Sequence, residues 1–237
     1  AVPRRPAPLY AFGSLDAQGR GRYQGWPWHL IPLPPDYGGQ WLHVRVFSDY
    51  VDIGLWGELL LGSGVDQLRR LYSRDLVRLV VAVVSLGISA IFLVLHFLRG
   101  RQRSFLFLSL ITLALVVRVL AETHIKQLVL YAPLAFEYVE AGSYFLLPVF
   151  ITLFLQEVLG ERFRTLTRAT WAALLALFAG CLAGIAVGLW RICDLYLFLD
   201  VLSVLSMVFL GFLVVVAALR GNAEARLVCF NFLVFAL

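Results

Sequence analysis

Six ionisable side chains lie within or beside long apolar runs, where charged residues are unusual. They are Arg118, Glu122, His124, Glu137, Glu140 and Asp200. A charged group in a membrane helix costs about 2.5–3.5 kcal/mol on insertion scales, so it needs a partner in the protein or a water-filled cavity. Two kinds of chemistry follow: a structural ion-pair network between helices, or a polar cavity in which a ligand or a proton changes the pairing.

The composition explains why these charges stand out. The chain of 237 residues is 61% apolar and 15% charged, and its mean hydropathy is +0.84, whereas soluble domains are about 45–50% apolar and 25% charged. The net charge of +5 fits basic loops that face anionic lipid headgroups better than it fits nucleic acid, because no basic soluble domain is visible. We therefore expect a membrane protein whose partner is the lipid bilayer.

Five apolar runs and the start of a sixth predict a bundle of membrane helices. The runs are continuous rather than alternating, which favours helices over a β-barrel. They cover Leu76–Leu98, Phe105–Leu120, Leu134–Leu155, Ala169–Trp190, Phe198–Leu219 and Leu227–Leu237. The sixth run is shorter than the roughly 20 residues that span a bilayer. We interpret it as a truncated helix, and we expect missing chain both before Ala1 and after Leu237.

Residues 1–62 have a different character, rich in proline, glycine and aromatic residues. Leu42, Val44 and Val46 alternate with polar residues, as in a half-buried strand. We predict the C-terminal part of an extracytoplasmic, jelly-roll-like β-sandwich over 1–62, a hinge over 63–75 and the helical bundle over 76–237. The head's tryptophans could form a sugar-stacking face or serve in core and membrane-surface packing: Trp26, Trp28, Trp41 and Trp56.

The distribution of basic residues predicts which end of the bundle faces the cytoplasm. The loops after the first, third and fifth runs are rich in arginine, whereas the loops after the second and fourth carry only Lys126 and Arg191. Four arginines at 69–78 would lie on the opposite side from the arginine-rich loops, so they reduce the difference between the two sides in the number of basic residues. We predict the head outside, which places Arg118, Glu137, Glu140 and Asp200 at similar depth near the outer surface. Arg118 is then expected to pair with Glu137 or Glu140, with Glu140 favoured.

The fourth run carries a small residue at every fourth position, which predicts close helix packing. These positions are Ala172, Ala176, Gly180, Gly184 and Gly188. The partner could be a helix of the same chain or a second protomer in a homodimer. Cys181, Cys193 and Cys229 lack the spacing of metal ligands or of a disulfide framework, and we interpret them as small apolar residues.

The sequence contains no catalytic motif that we can identify. A lone His124 near a helix end is more typical of a solvated loop residue than of a metal ligand, because no second histidine or cysteine lies at coordinating spacing. Phosphate-binding loops, nucleophile elbows and HExxH patterns are also missing from the sequence. We therefore predict no metal, no cofactor and no catalytic residue in this chain.

Three stretches carry a family resemblance: SDYVDIGLWGELLLGS, LHFLRGRQRSFLFLSL and ETHIKQLVLYAPLAFEYVEAGSYFLLP. With the order of head, hinge and bundle, they resemble the bacterial seven-transmembrane receptors with diverse intracellular signalling modules, over about residues 22–237. The resemblance implies a carbohydrate-binding-like sensory β-sandwich, seven helices and a multi-pass location in the bacterial inner membrane. It also implies a cytoplasmic module, such as a kinase, cyclase or phosphatase, after Leu237, so enzymatic activity of the whole protein stays open.

The expected function is therefore a receptor that senses an extracytoplasmic ligand or partner and relays the signal through the bundle. The alternative is a small-solute transporter or channel. Transporters often show repeats and polar residues near the membrane midplane, whereas the predicted polar cluster lies toward the outer surface. A small molecule or a carbohydrate is the expected ligand class.

Overall fold

The computed structural model describes residues 8–14, 16, 18, 20–21, 23–46 and 57–236, with the backbone only at 193 and 231–236. Within these described residues, seven α-helices and a short 3-10 turn at Glu161–Phe163 follow residue 63. The helices are α1 Gly64–Leu98, α2 Arg103–Ala121, α3 Lys126–Val129, α4 Pro133–Leu159, α5 Arg164–Ala186, α6 Ile192–Leu219 and α7 Ala223–Ala236.

Five of these helices are long and apolar enough to cross a membrane, as the sequence predicts. They are α1, α2, α4, α5 with its preceding turn, and α6. Their outward surfaces are rich in exposed leucine, valine and phenylalanine, which is the surface that lipid requires. The helices run up and down, so alternate loops lie at opposite ends of the bundle.

Helix α1 begins much earlier than the apolar run that predicts it. Ser63 caps the helix, since its hydroxyl oxygen accepts the backbone N–H of Asp66 at 3.2 Å and donates to the Asp66 carboxylate at 2.6 Å. The segment predicted as a hinge over 63–75 is therefore helical from Gly64 onward. With 35 residues at about 1.5 Å each, α1 exceeds the bilayer core, so its polar first turns extend beyond it.

Helix α4 is the centre of the bundle. It packs against α2, α5, α6 and α7, whereas α1 packs mainly against α2. One apolar cluster joins α4, α6 and α7 around Leu155 and Leu210. A second joins α4, α5 and α6 around Phe145 and Cys181, so the interpretation of Cys181 as a buried apolar residue fits its position.

A polar contact joins α1 to α2 inside the bundle. The hydroxyl oxygens of Ser89 and Ser109 lie 3.0 Å apart, and each lies 2.9 Å from the backbone carbonyl oxygen of the other residue. Small hydroxyl residues allow helices to approach closely and to hydrogen-bond across the interface. The pair therefore fixes the register between the first two helices.

The N-terminal part contains no β-strand among its described residues, 8–46 with gaps and 57–63, beyond a single bridge position at Gly21. The strand predicted around Leu42, Val44 and Val46 is irregular and exposed. An alternating pattern forms a strand only where another strand accepts its hydrogen bonds, and no such partner lies beside it in the described chain. The described residues thus do not show the predicted β-sandwich.

Asn222 joins three helices at the end of the bundle where α1 and α2 connect. Its amide nitrogen donates to the carbonyl oxygen of Val158 at 3.0 Å, and its amide oxygen accepts the backbone N–H of Ala225 at 3.0 Å. It therefore caps α7 and ties the α6–α7 turn to α4.

We expect Asn222→Ala to lower the unfolding free energy by about 1–2 kcal/mol, because both the cap and the link to α4 are lost. Thermal unfolding in detergent would measure the effect. Asn222→Asp is the matched control, since it keeps the cap acceptor and loses only the amide donor, so its loss should be smaller. Equal stability of Asn222→Ala and the parent protein would contradict this role.

Candidate functional site

The buried carboxylate of Asp75 holds the loop between α2 and α4 against α1. Asp75 is 0% exposed. Its Oδ2 atom accepts the backbone N–H groups of His124 at 2.5 Å and of Ile125 at 2.8 Å, and its Oδ1 atom lies 2.9 Å from His124 Nδ1. The Arg78 guanidinium is 3.6 Å away. The carboxylate is thus satisfied by groups that start the short helix α3.

The N-terminal segment rests on the same loop. The indole N–H of Trp28 donates to the carbonyl oxygen of His124 at 2.8 Å, and the Trp28 backbone N–H donates to Gln127 Oε1 at 3.2 Å. The hydroxyl of Tyr23 donates to the carboxylate of Glu137 on α4. A movement of residues 23–28 would therefore act directly on α3 and α4.

Gly25 lets this segment approach α4 closely. Its φ is +91°, and a Cβ atom at this position would lie 2.7 Å from the backbone carbon of Pro133. Any larger residue would both strain the backbone and collide with the start of α4. Residues 23–28 form what we call the strap, a segment in direct contact with the α2–α4 loop.

Lys126 in α3 is also enclosed by this arrangement. Its ammonium donates to the carbonyl oxygen of Ala121 and lies 5.1 Å from the ring centroid of Phe136. Burial lowers the pKa of Lys126, and the carboxylates of Glu140 and Glu137 oppose that effect. The loop thus contributes a partly desolvated cation beside the acidic start of α4.

Arg118 forms its ion pair within its own helix rather than with α4. Its Nε atom lies 3.0 Å from Glu122 Oε1, and its guanidinium carbon lies 4.4 Å from the centroid of the Tyr144 ring. The predicted pairing with Glu137 or Glu140 is therefore wrong for the described contacts. Residues four apart face each other on one helix, so Glu122 reaches the guanidinium without any tertiary contact.

A cavity of about 220 Å³ opens between α2, α4 and α6 beside this arginine. Its lining consists of Arg118, Glu140, Ala141, Tyr144, Tyr196 and Asp200. Three of the predicted site residues, from three different helices, therefore meet in one place. The cavity lies toward the end of the bundle that carries α3, since Arg118 is near the end of α2 and Glu140 is two turns into α4.

The remaining predicted site residues lie around the cavity rather than in it. Glu122 pairs with Arg118, and Glu137 contacts the strap. His124 is not the solvated loop residue that the sequence predicts, because its ring and backbone bind Asp75. Asp75 was not predicted as a site residue, because its position in the sequence is typical of a charged residue just outside a membrane helix. The Ser63-x-x-Asp66 capping pattern could have shown that α1 begins early and carries Asp75 well inside a helix.

The tryptophans of the head have separate surroundings in the described chain. Trp28 binds the α2–α4 loop, Trp26 is half-exposed beside Tyr23, and Trp41 is 89% exposed. Trp56 lies outside the described residues. A sugar-stacking face stays a prediction, and the indole N–H of Trp28 is already hydrogen-bonded to the α2–α4 loop.

The small residues of α5 mostly face outward. Ala172, Ala176 and Gly180 are exposed, and Gly188 follows the end of the helix. Gly184 is buried, but under the ring of Trp190, which a Cβ atom there would meet at 2.3 Å. The buried face of α5 instead carries Thr167, Leu174 and Cys181. No helix among the described residues covers the predicted small-residue face, so its partner, a further helix of the same chain or a second protomer, stays a prediction.

The fold and the site together define the class of this protein. It is a multi-pass helical membrane protein with a polar cavity near one end and an N-terminal segment docked beside it. The chain belongs to the family described as 7TM diverse intracellular signalling, whose model matches residues 75–237. The resemblance seen in the sequence is thereby confirmed over residues 75–237, and the protein is a membrane receptor of a signalling family. Comparisons with curated proteins and with solved structures give no match.

We expect Asp75→Asn to loosen the α2–α4 loop. The carboxamide keeps one acceptor oxygen but loses the negative charge and the second acceptor, which weakens the bonds from His124 and Ile125 at a cost of about 1–3 kcal/mol. Hydrogen exchange at these two amides should become roughly 5- to 150-fold faster, because exchange there requires the loop to open.

The matched control is Asp66→Asn, an exposed carboxylate in the first turn of the same helix. It should leave exchange at residues 124 and 125 unchanged. Protection at these amides that survives Asp75→Asn would show that other contacts hold the loop.

Proposed function

We propose that this receptor senses an extracytoplasmic ligand or partner and relays the signal from its N-terminal head through the α2–α4 loop to the cytoplasmic ends of the helices. The observation that carries this proposal is the chain of contacts from Trp28 through His124 to Asp75. It connects the segment preceding the bundle to α1 by hydrogen bonds of 2.5 to 2.9 Å.

The loop is well placed to act on several helices together. It is continuous with α2 and α4, Asp75 binds it to α1, and α4 packs against α2, α5, α6 and α7. A ligand shifts such a bundle only if it binds two arrangements with different affinity. Strap contacts that exist in one arrangement and break in the other would supply that difference.

The membrane arrangement that fits this mechanism has the head outside. Eight arginines lie in or within a few residues of the α1–α2, α4–α5 and α6–α7 connections: Arg99, Arg101, Arg103, Arg162, Arg164, Arg168, Arg220 and Arg226. Basic loops favour the cytoplasmic side. In this arrangement, in the bacterial inner membrane, the strap, α3 and the cavity lie near the outer surface, and a following signalling module would lie inside.

The proposal extends to the parts of the receptor that the described residues do not cover. A homodimer and a cytoplasmic kinase, cyclase or phosphatase module agree with the family resemblance, and the exposed small-residue face of α5 offers close packing for a second protomer. The transporter alternative has no specific observation in its favour, because the cavity lies toward one end of the bundle rather than at its middle.

The orientation can be tested with single cysteines in a background that lacks Cys181, Cys193 and Cys229. In intact cells, a membrane-impermeant thiol reagent should label Val129→Cys, at an 84% exposed position in α3, and should label Arg103→Cys only after permeabilisation. The opposite pattern would place the head in the cytoplasm.

Relay through the strap can be tested by electron-spin distance measurements between labels at Arg103→Cys and Arg220→Cys in the same background. Trp28→Phe keeps an aromatic ring but loses the donor to His124. We expect the populations of the inner-end distances to change by about fivefold, which corresponds to one hydrogen bond of about 1 kcal/mol.

The matched control for this experiment is Trp41→Phe, an equal change at an exposed position. Its distance distribution should equal that of the parent protein. If Trp28→Phe and Trp41→Phe give the same distribution as the parent, the strap does not relay a signal to the inner ends of the helices.

A further inference from the structure

The cavity between α2, α4 and α6 contains a carboxylate oxygen without a partner. Asp200 Oδ1 is buried and has no hydrogen-bond partner among the described residues. A buried acceptor that is left unsatisfied destabilises the protein, and an ionisable group on a membrane helix normally has a partner.

The one arginine in the cavity lining is already engaged. Arg118 pairs with Glu122 at 3.0 Å, and one face of its guanidinium covers the Tyr144 ring. Glu140 is acted on by Arg118, Lys126 and Arg78, all of them on the α1, α2 and α3 side of the cavity. Asp200 lies on α6, across the cavity from these cations. The cavity therefore has acidic character on its α6 side.

We propose that the cavity binds the protonated primary amine of a small polar molecule. An ammonium group carries three N–H donors, which suit Asp200 Oδ1 and the carboxylate of Glu140 on the opposite wall. The ring of Tyr196 also lines the cavity, and aromatic rings attract cations. An anion fits less well, because two carboxylates line the cavity and the charge of its one arginine is neutralised by Glu122.

The volume limits the size of the ligand. Pockets for drug-sized molecules measure roughly 300–1,000 Å³, whereas this cavity measures about 220 Å³. A compact amine fits within this volume. Binding of such an amine depends on the cavity alone. Only the effect of binding on signalling rests on the proposed receptor function.

The test uses the purified full chain in phosphatidylcholine nanodiscs, with ethanolamine as the probe and saturation-transfer NMR as the binding measurement. Choline is the control probe, because its methylated nitrogen keeps the charge but has no N–H donor. We expect choline to bind about tenfold or more weakly than ethanolamine, since charge-assisted hydrogen bonds are lost. Equal binding of the two probes, or no binding of ethanolamine, would overturn the proposal without any mutation.

Two variants on α6 locate the site. Asp200→Asn should weaken ethanolamine binding by about tenfold or more, whereas Asp194→Asn, on the same helix but outside the cavity lining, should leave it unchanged. Circular dichroism and size-exclusion chromatography check that both variants fold. Equal affinities of the two variants would place the amine elsewhere.

The amine could come from a soluble metabolite or from the headgroup of phosphatidylethanolamine, and the lipid of the nanodisc distinguishes these sources. Binding of free ethanolamine that disappears when phosphatidylethanolamine replaces phosphatidylcholine supports the headgroup, and binding that persists supports a soluble amine. Failure of ethanolamine to bind would leave the strap experiment unaffected, so this inference and the proposed relay can fail separately.

Discussion

A charged or polar side chain in a membrane helix must find its partner inside the protein, because lipid offers no hydrogen bonds. This constraint organises one whole end of the bundle. Asp75 accepts hydrogen bonds from the loop between α2 and α4. Arg118 forms an ion pair with Glu122, and Glu137 accepts a hydrogen bond from Tyr23. Each pairing fixes a backbone segment as well as a charge, so the polar groups hold the connections of the bundle at that end.

The opposite end is built on different contacts. There, α4, α6 and α7 pack through an apolar cluster, and Asn222 closes the turn between α6 and α7 onto α4. The end with α3 is joined by hydrogen bonds to specific loop groups. Such hydrogen bonds break and re-form more readily than a packed apolar core rearranges. This contrast supports the proposed relay, in which the connections at the α3 end respond to the N-terminal segment and the opposite ends move with the helices to which they belong.

Helix α4 links the two ends. It carries Glu137 and Glu140 near its start and Leu155 and Leu159 near its end. Between them lies the contact with α5 and α6 that borders the cavity. A change at the strap or in the cavity therefore acts on a helix that touches most of the bundle, which is the connection that a signalling role requires.

Much of this architecture can be predicted from the sequence. Continuous apolar runs determine the five spanning helices, because each run is long enough to satisfy its own backbone hydrogen bonds across the membrane. The depth of Arg118, Glu140 and Asp200 also follows from their places in those runs, and the structure brings all three to one cavity. Family membership over residues 75–237 agrees with the resemblance in the sequence.

Other features were decided only by the tertiary structure. The alternation around Leu42 did not produce a strand, since a strand depends on a neighbouring strand that local sequence cannot specify. The small residues of α5 predicted a close helix contact, but which face is buried depends on how α4 and α6 pack. Most clearly, the local sequence around Asp75 and around His124 does not indicate that these two residues are partners. They lie 49 residues apart, and only the packing of α1 beside α2 brings the buried carboxylate to the loop.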